Sequence, residues 1–310
     1  METIYLHHPV ATEFLPVEPL VMVLGYFDGI HLGHQSVIET AKKIADAQNL
    51  PLAVLTFTQH PSIVFKKFNQ EKMMKHLVSP EDRIAEFEHL GIDLLYMVEF
   101  TSKLANLSPE EFINQYLRDF KTKIVVTGFD YTFGKTAGVA ELKALSKEIE
   151  VITVPKFTLD NEKVSSTRIR EALDRGDVEL ANRLLGRPYQ FSGLVVHGEA
   201  RGRTLGFPTA NLEFERYVYE PEVGVYVVDI EIYGVHYRGA ASIGYNDTFG
   251  ENLRKTIEVY ILDFSEEIYG EMVRVKWLSK IRDMVKFTSI EALVEQLKSD
   301  EAVARNFKVE

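Results

Sequence analysis

Two histidines, His31 and His34, lie within the ten-residue segment GYFDGIHLGH at positions 25–34. If this segment begins a helix, a spacing of three residues places both imidazoles on one helix face. Gly33 between them has no side chain, so a ligand can approach the backbone closely. Amides at the start of a helix favour phosphate oxygens, and two imidazoles beside them can donate hydrogen bonds to charge developing during displacement at phosphorus. The segment therefore predicts a site for phosphate chemistry.

Two other interpretations of segment 25–34 stay open on these residues alone. The glycines and Asp28 can form an ordinary strand–turn–helix connection in which the histidines are merely polar helix residues. Histidine pairs also bind zinc, but the chain has no cysteine and no third ligand follows at a recognisable spacing. The choice between these interpretations depends on the rest of the chain.

A second segment suited to phosphate is VSSTRIR at residues 164–170. Serine or threonine caps a helix whose first amides stay exposed, and arginine supplies forked hydrogen-bond donors. The segment predicts a phosphate clamp in an otherwise acidic chain. An ordinary capped surface helix, in which the two arginines pair with acidic residues nearby, is the open alternative.

A third candidate, HGEARGRTLGFPTAN at residues 197–211, carries three glycines and two arginines. Thr209 and Asn211 are two residues apart, so in an extended strand their side chains point the same way. Neutral oxygen ligands suit a magnesium ion that keeps water and phosphate in its coordination shell. The segment lacks the pattern G-x-x-x-x-G-K-[ST], which excludes a Walker-type ATPase. It predicts a second nucleotide site with a metal.

The elements that position these segments differ between the two halves of the chain. In residues 1–185, apolar runs alternate with amphipathic helical segments; the runs are at 20–24, 52–57, 92–98 and 124–127. Continuous apolar strands between helices are typical of a parallel sheet covered on both faces, with ligands at the carboxyl ends of the strands. We therefore expect a doubly wound, Rossmann-like α/β domain.

Residues 186–310 show a different pattern, with polar and apolar residues alternating in four segments at 224–232, 235–243, 256–262 and 272–278. Such alternation is typical of half-exposed antiparallel strands. Tyr233-Gly234 lies where a tight hairpin turn is expected, and a helix is predicted at 289–298. A small sandwich fits this pattern as well as a barrel; we expect an antiparallel β-barrel with a terminal helix.

Composition narrows the range of partners. The 310 residues carry 35 Lys+Arg against 46 Asp+Glu, a formal charge of −11, and no cysteine. A nucleic-acid clamp or a membrane-surface protein needs a basic face, so neither partner is expected. No secretory signal and no apolar stretch long enough to span a bilayer is evident. We expect a cytoplasmic protein that acts on small molecules, as a monomer or weak homo-oligomer.

Four segments of the first half resemble one known family. Residues 25–34 resemble the H-x-G-H motif of the nucleotidyltransferase superfamily and, within it, the flavin adenylyltransferase half of bacterial bifunctional riboflavin kinase/FAD synthetases. Residues 57–61, 128–134 and 164–170 resemble the family's T-F-x-x-H-P, G-x-D-F-x-F-G and S-S-T-x-I-R motifs. Many members have asparagine where this chain has Tyr26.

The second half resembles the riboflavin kinases. Residues 206–211, GFPTAN, are similar to the family motif G-x-P-T-A-N. Glu258 occupies the position of the family's catalytic glutamate, and Arg282 matches a family arginine near the flavin or the nucleotide. Taken without the resemblance, Glu258 is an outward polar residue of a strand and Arg282 a surface charge.

The resemblance implies a role for each matched residue. The catalytic residues that it implies are His31, His34 and Glu258. The ATP-binding residues are Gly25, Phe27, Asp28, Gly33, Ser166, Thr167, Arg168, His197, Gly198, Arg203 and Gly206. The flavin-binding residues are His60, Asp130, Phe133 and Arg282, and the metal ligands are Thr209 and Asn211.

The activity that the resemblance implies has two steps. The C-terminal domain transfers the γ-phosphoryl group of ATP to riboflavin, giving FMN, and the N-terminal domain adenylylates FMN with a second ATP, giving FAD and pyrophosphate. Riboflavin, FMN, ATP and Mg²⁺ are the expected ligands. Two alternatives stay open: a nucleotidyltransferase for another phosphorylated substrate, and a flavin-responsive regulator or carrier without turnover. The His31/His34 pair and Glu258 argue against the regulator, because binding alone needs neither.

Overall fold

The computed structural model describes residues 1–64, 74–133, 137–198, 202, 205–215, 217–245 and 255–308. The chain divides into two compact units, residues 1–165 and 166–310. The expected domains, 1–185 and 186–310, differ from these units by the two helices between residues 166 and 185. The second of those helices packs on the strands of the C-terminal unit, which is why they group with it.

The first unit is built on a six-stranded parallel sheet. Its strands are β1 (Glu2–Leu6), β2 (Leu20–Leu24), β3 (Leu52–Phe57), β4 (Leu94–Val98), β5 (Thr122–Gly128) and β6 (Glu150–Val154). They lie in the order β1-β4-β3-β2-β5-β6, and each neighbouring pair is parallel. The carboxyl ends of the central strands β3, β2 and β5 therefore lie side by side.

Helices cover both faces of this sheet. They are α1 (Leu32–Gln48), α2 (Pro80–His89), α3 (Ser102–Ala105), α4 (Pro109–Ile113), which continues as a π-helical turn (Asn114–Arg118), and α5 (Val139–Leu145). Alternate residues of β2 enter different clusters: Met22 and Leu24 pack with one core, Val21 and Val23 with the other. The doubly wound α/β prediction is confirmed.

Helix boundaries in this unit follow the local signals in the sequence. Ser79 caps α2 by accepting from the backbone N–H of Asp82, and proline occupies the first turn. Ser108 and Glu111 form a capping box at the start of α4. Two-residue strands add two small hairpins, Thr132–Phe133 with Ala137–Gly138 and Thr158–Leu159 with Glu162–Lys163.

The second unit is a closed antiparallel barrel of six strands. They are β7 (Tyr189–Val196), β8 (Thr209–Phe214), β9 (Gly224–Ile232), β10 (Val235–Tyr245), β11 (Lys255–Ile261) and β12 (Met272–Arg282), in the order β7-β8-β11-β10-β9-β12. Tyr233 and Gly234 join β9 to β10 with φ of 51° and 77°, as a two-residue hairpin turn requires. Closure through the β7–β12 pair excludes the sandwich.

Three helices accompany the barrel: α6 (Ser166–Asp174), α7 (Val178–Leu185) and α8 (Ile290–Asn306). Asn182 on α7 donates to the carbonyl of Trp277 at 2.8 Å and accepts from the backbone N–H of Tyr189 at 2.6 Å, which ties the helix to two strands. Trp277 is fully buried and stacks on Phe191 with ring centroids 5.4 Å apart.

The terminal helix α8 is longer than the predicted segment 289–298. The polar run that follows residue 298 gave no sign of a buried face. Asp300 in this run is nevertheless 3% exposed, because Arg282 of β12 pairs with it. A charge that is buried through a distant partner carries no local hydrophobic signal.

Candidate functional site

The loop from β2 to α1 places two imidazole rings face to face. The ring centroids of His31 and His34 are 3.6 Å apart, with 17° between the ring planes. His31 is the N-cap of α1, and its Nδ1 accepts the backbone N–H of His34 at 3.2 Å. Because Nδ1 is an acceptor, a neutral His31 carries its proton on Nε2. That nitrogen is then the ring's donor for a ligand.

Both imidazoles are held neutral. Burial lowers the pKa of His31 to about 4, outweighing the nearby Asp28 carboxylate, which raises it. Burial and then the charge of His31 lower the pKa of His34 well below 6.5. The Nδ1 atom of His34 is buried and has no hydrogen-bond partner in the described part of the chain. The pair can therefore act as hydrogen-bond donors without itself carrying charge.

The loop before the histidines has an unusual backbone. Phe27 and Ile30 have φ of 58° and 41°, although neither is glycine; residues held in this region cost about 1–3 kcal/mol each. The Phe27 ring anchors the loop, since it packs edge-on against His34 and Phe87 at 5.1 and 5.8 Å. A Cβ on Gly25 would lie 2.6 Å from that ring. Gly25 and Phe27 thus shape the loop from its buried side.

Two further loop residues support the histidines. Asp28 is 5% exposed, and its Oδ1 accepts the backbone N–H of Leu77 at 3.0 Å. A Cβ on Gly33 would lie 3.2 Å from the His31 ring. The missing side chain at Gly33 therefore leaves room for His31, and not only for a ligand as the sequence suggested.

Arg83 on α2, which sequence analysis did not identify, supports this loop through hydrogen bonds. Arg83 is 3% exposed, and its guanidinium donates to the carbonyl of Tyr26 at 3.2 Å and to that of Phe57 at 2.7 Å. It lies 5.2 Å from the centre of the Tyr26 ring. These contacts connect the ends of β2 and β3. Arg83 donates to the backbone carbonyl of Tyr26, which asparagine would also supply, so the departure from the family's asparagine leaves that hydrogen bond intact.

The predicted flavin-binding residues of this unit follow β3 and β5, the two strands that flank β2 in the sheet. His60, after β3, contacts the Tyr26 ring edge-on at 4.7 Å. Asp130, after β5, forms an ion pair with Lys163, whose charge also lowers the pKa of both histidines. Phe133 is buried and packs against Phe112 at 5.3 Å. Lys163 directly precedes the segment 164–170, a position that could have drawn attention to it.

The remaining predicted phosphate residues of the first half, Ser166, Thr167 and Arg168, form the first turn of α6. This helix belongs to the second compact unit. Their assignment to the phosphates stays a prediction.

In the barrel, strand pairing brings three predicted residues together. Asn211 on β8 lies directly opposite Glu258 on β11, and Thr209 Oγ1 donates to Glu258 Oε2 at 3.1 Å. The residues adjacent to Glu258, Ile257 and Val259, are buried. Glu258, Thr209 and Asn211 therefore lie on the outer face of the barrel, as the alternation predicted.

Two glycines near this face have no room for a side chain. A Cβ on Gly198 would overlap the side-chain amide of Asn211, and one on Gly202 would overlap the carbonyl oxygen of Phe207. The Gly202 carbonyl accepts the backbone N–H of Phe207 at 2.9 Å. Gly206 has a φ of 85°, a conformation that favours glycine. Predicted residue Arg203, like Arg201 and Gly134, lies outside the described residues.

A cavity of about 450 Å³ adjoins Thr209. Its apolar wall is formed by Val195, Pro208, Ala210, Ile261, Phe264, Ile268 and Tyr269, with Ser265, Glu266 and Glu267 as the other polar lining. His197, another predicted ATP residue, stacks on Tyr269 with ring centroids 3.8 Å apart. A flat heterocycle matches the size of this cavity, whose lining offers apolar surface and polar groups in about equal measure.

Arg282 ends β12 in a dense hydrogen-bond arrangement. Its Nε and Nη2 donate to the Asp300 carboxylate at 3.0 and 2.7 Å, and its Nη1 donates to the Asp283 carbonyl at 3.1 Å. The ion pair is 18% exposed at Arg282 and 4% at Asp300. Arg282 is therefore a fixed donor group, and not the freely solvated surface charge that the sequence left open.

No group of three or more His, Cys, Asp and Glu side chains in the described ranges could hold a metal ion. The neutral oxygens of Thr209 and Asn211, beside the Glu258 carboxylate, nevertheless form a hard donor set suited to magnesium that is completed by phosphate and water. Among the described helices, none is long and apolar enough to cross a membrane.

Two family models match the chain in the order of its units. The FAD synthetase model matches residues 16–168, and the riboflavin kinase model matches residues 185–308. Bifunctional riboflavin kinase/FMN adenylyltransferases are similar over nearly the whole chain. The protein of Listeria monocytogenes is 46% identical over 99% of this chain and 98% of its own. The protein of Bacillus subtilis is 44% identical over 98% and 97%.

A solved structure has the same fold throughout. The chain described as a macrolide-efflux protein from Streptococcus pneumoniae superposes with a TM-score of 0.92 and 44% identity, covering 99% of both chains. The match spans the residues of both units. The efflux description belongs to that protein, and the two family models describe different chemistry for the matched residues here.

Proposed function

Since this chain belongs to the bifunctional riboflavin kinase/FMN adenylyltransferase family, we propose that its two constellations of side chains are the two active sites of that enzyme. The protein phosphorylates riboflavin to FMN and adenylylates FMN to FAD, each time with ATP. The His31/His34 loop serves the second reaction, and the outer face of the barrel around Glu258 serves the first.

The adenylyl transfer needs donors more than it needs a base. An oxygen of the FMN phosphate attacks the α-phosphorus of ATP, the bond to the β-phosphate breaks, and pyrophosphate leaves. The nucleophile is already deprotonated, so no side chain has to accept a proton. His31 donates from Nε2, because its Nδ1 is engaged by the backbone of His34. His34, also held neutral, donates beside it to the oxygens that gain charge.

The other first-half residues hold the substrates in this reaction. We assign Gly25, Phe27, Asp28 and Gly33 to ATP through the shape and amides of their loop, with Ser166, Thr167 and Arg168 on the phosphates. His60, Asp130 and Phe133 are assigned to the flavin. The ring of Phe27 is buried, so its contact with ATP would come from the backbone.

The kinase reaction needs a base. The 5′-hydroxyl of riboflavin attacks the γ-phosphorus of ATP, Glu258 takes the hydroxyl proton, and ADP leaves. Thr209 and Asn211 would hold Mg²⁺, which supplies charge neutralisation of the phosphates when bound. His197, Gly198, Arg203 and Gly206 are assigned to ATP, and the cavity beside Thr209 matches its adenine. Arg282 is assigned to the flavin.

One observation carries the division into two sites: the hydrogen bond between Thr209 and Glu258 and the pairing of Asn211 with Glu258 put a base and metal-type oxygens on one face of the barrel. A regulatory flavin-binding barrel has no use for this combination. We place the enzyme in the cytoplasm, where its nucleotide and flavin substrates are available.

The experiment is to incubate the purified protein with riboflavin, ATP and Mg²⁺, and to separate riboflavin, FMN and FAD over time. Sequential appearance of FMN and then FAD is expected. FMN without FAD would remove the adenylyltransferase assignment, and no conversion at all would favour a binding protein. Omitting Mg²⁺ tests the metal separately.

A further inference from the structure

The terminal helix α8 contributes one buried carboxylate to the kinase unit. Asp300 is 3% exposed and accepts from Arg282 Nε at 3.0 and 3.1 Å, from Arg282 Nη2 at 2.7 Å and from Gln296 Nε2 at 2.9 Å. A side-on carboxylate contact of this kind fixes both the position and the plane of a guanidinium group.

The donors of Arg282 can be counted. A guanidinium group carries five N–H bonds. Nε–H and one Nη2–H bond Asp300, and one Nη1–H bonds the Asp283 carbonyl. One N–H on each terminal nitrogen remains, and no other acceptor in the described ranges contacts them. The group therefore keeps donors for a ligand on both of its outer nitrogens.

Charge decides which ligand suits these donors. The buried Asp300 carboxylate compensates the charge of Arg282, so the pair offers directed N–H groups with little net positive charge. A phosphate gains most from an uncompensated cation, whereas a neutral heterocycle or polyol needs only the hydrogen bonds. Riboflavin is neutral and rich in oxygen acceptors, so it is the better match.

We propose that Asp300 is a positioning residue of riboflavin phosphorylation: it orients Arg282 so that the two remaining N–H groups bind oxygens of riboflavin. The proposal rests on the proposed function, because it takes Arg282 to be part of the flavin site. It makes the docking of α8 on the barrel part of substrate recognition, and not only of stability.

The first test is Asp300→Asn in the full-length chain. The amide keeps the size of the carboxylate but loses the charge and one acceptor. The KM for riboflavin should rise about tenfold or more, since hydrogen bonds to charged groups contribute this much. The KM for ATP and the rate of FAD formation from supplied FMN should stay unchanged. A rise in the KM for ATP alone would overturn the choice of riboflavin.

A double-mutant cycle separates positioning from a structural role. We expect Arg282→Ala to raise the KM for riboflavin, and Asp300→Asn to add nothing further in that background. If Asp300→Asn raised the KM for riboflavin by the same factor in the unmodified chain and in Arg282→Ala, the proposal would be overturned, because Asp300 would then act without Arg282. Arg282→Ala with Asp300→Ala gives a second measurement if a single variant folds poorly, since removing both leaves no unpaired buried charge. That variant should show a raised KM for riboflavin and an unchanged KM for ATP; an unchanged KM for riboflavin would overturn the proposal.

The two proposals fail differently. If the unmodified chain forms no FMN from riboflavin, the proposed function is wrong. If it forms FMN and Asp300→Asn has an unchanged KM for riboflavin, the function stands and the role of Asp300 is wrong.

Discussion

The backbone N–H of His34 donates to Nδ1 of His31 at 3.2 Å, while the two imidazole rings stack with their centroids 3.6 Å apart. One hydrogen bond thus caps helix α1 and sets the tautomer of the ring that lies at its start. The glycine of the pattern H-x-G-H leaves space for the His31 ring, because a Cβ on Gly33 would lie 3.2 Å from it.

Replacing His31 should separate the two activities. His31→Ala removes a preorganised donor to the reacting phosphate, a change that typically costs about 10²–10³ in rate. FAD formation from FMN should fall by about this factor, with riboflavin phosphorylation unchanged. The measurement is initial rates for both reactions on one preparation. Equal loss of both, with the fold intact, would contradict separate sites.

The barrel offers the reciprocal change. Glu258→Gln keeps the acceptor for Thr209 but removes the base, so FMN formation should fall by about 10²-fold or more. FAD formation from supplied FMN should continue at the normal rate. Retained FMN formation in the variant would show that another group takes the hydroxyl proton.

Acid should affect the first unit through His31. Its pKa is lowered from 6.5 to about 4 on folding, so the unfolded chain binds its proton first. The stability that the neutral ring contributes is complete above its unfolded pKa and is lost as the pH falls through the range between the two values. Chemical denaturation at about pH 7 and about pH 4.5 should show a smaller loss of stability in His31→Gln than in the unmodified chain. An equal loss in both would mean that His31 does not titrate in this way.

Arg83→Met tests the brace between the ends of β2 and β3. The variant removes the donor to the Phe57 carbonyl and one of the donors to the Tyr26 carbonyl, which also accepts from Thr56 Oγ1 at 2.9 Å. Losing the charged donor to Phe57 should cost about 1–3 kcal/mol. Displacement of the histidine loop by as little as 1 Å can cost about 10²-fold in rate. FAD formation should fall mainly in kcat, whereas FMN formation stays normal. Arg83→Lys, which restores a cation with its donors on a single nitrogen, should recover part of the rate. No recovery relative to Arg83→Met would contradict a supporting role for Arg83.

Gly198→Ala tests the close packing in the kinase site. The added Cβ overlaps the Asn211 amide, so either that amide or the backbone at Gly198 must shift. We expect FMN formation to fall by about tenfold or more, on the same reasoning that ties small displacements to large losses in rate. The FAD activity of the same sample is the control. Unchanged FMN formation would mean that Asn211 has no fixed position in the reaction.

Much of this molecule is predictable because its signals are local. The buried strands β2 and β3 are continuous apolar runs with bounds that the sequence predicted to the residue. The Tyr233-Gly234 turn and the serine caps of α2 and α4 also depend only on adjacent residues. The motifs of the barrel site lie on paired strands, so alternation alone placed Glu258 on the outer face.

The residues that escaped prediction act over long separations. Arg83 contacts Tyr26, which lies 57 positions before it in the sequence, and Phe57, which lies 26 positions before it. Asp300 depends on a strand end 18 positions before it. The edge strand β1 is mostly half-exposed or exposed, so it lacks the apolar run that marks its neighbours. A buried charged group needs a hydrogen-bonding or ionic partner. When that partner is distant in sequence, no local pattern identifies it.

The only tryptophan of the chain, Trp277, is completely buried in the barrel beside Phe191. Tryptophan emission therefore comes from the kinase unit alone, and excitation of this residue reports the unfolding of the barrel without a contribution from the parallel sheet. Denaturation can be followed by tryptophan fluorescence, which reports the barrel, and separately by far-ultraviolet circular dichroism, which reports both units. Comparing the two curves would reveal whether the two units unfold in one transition or in two.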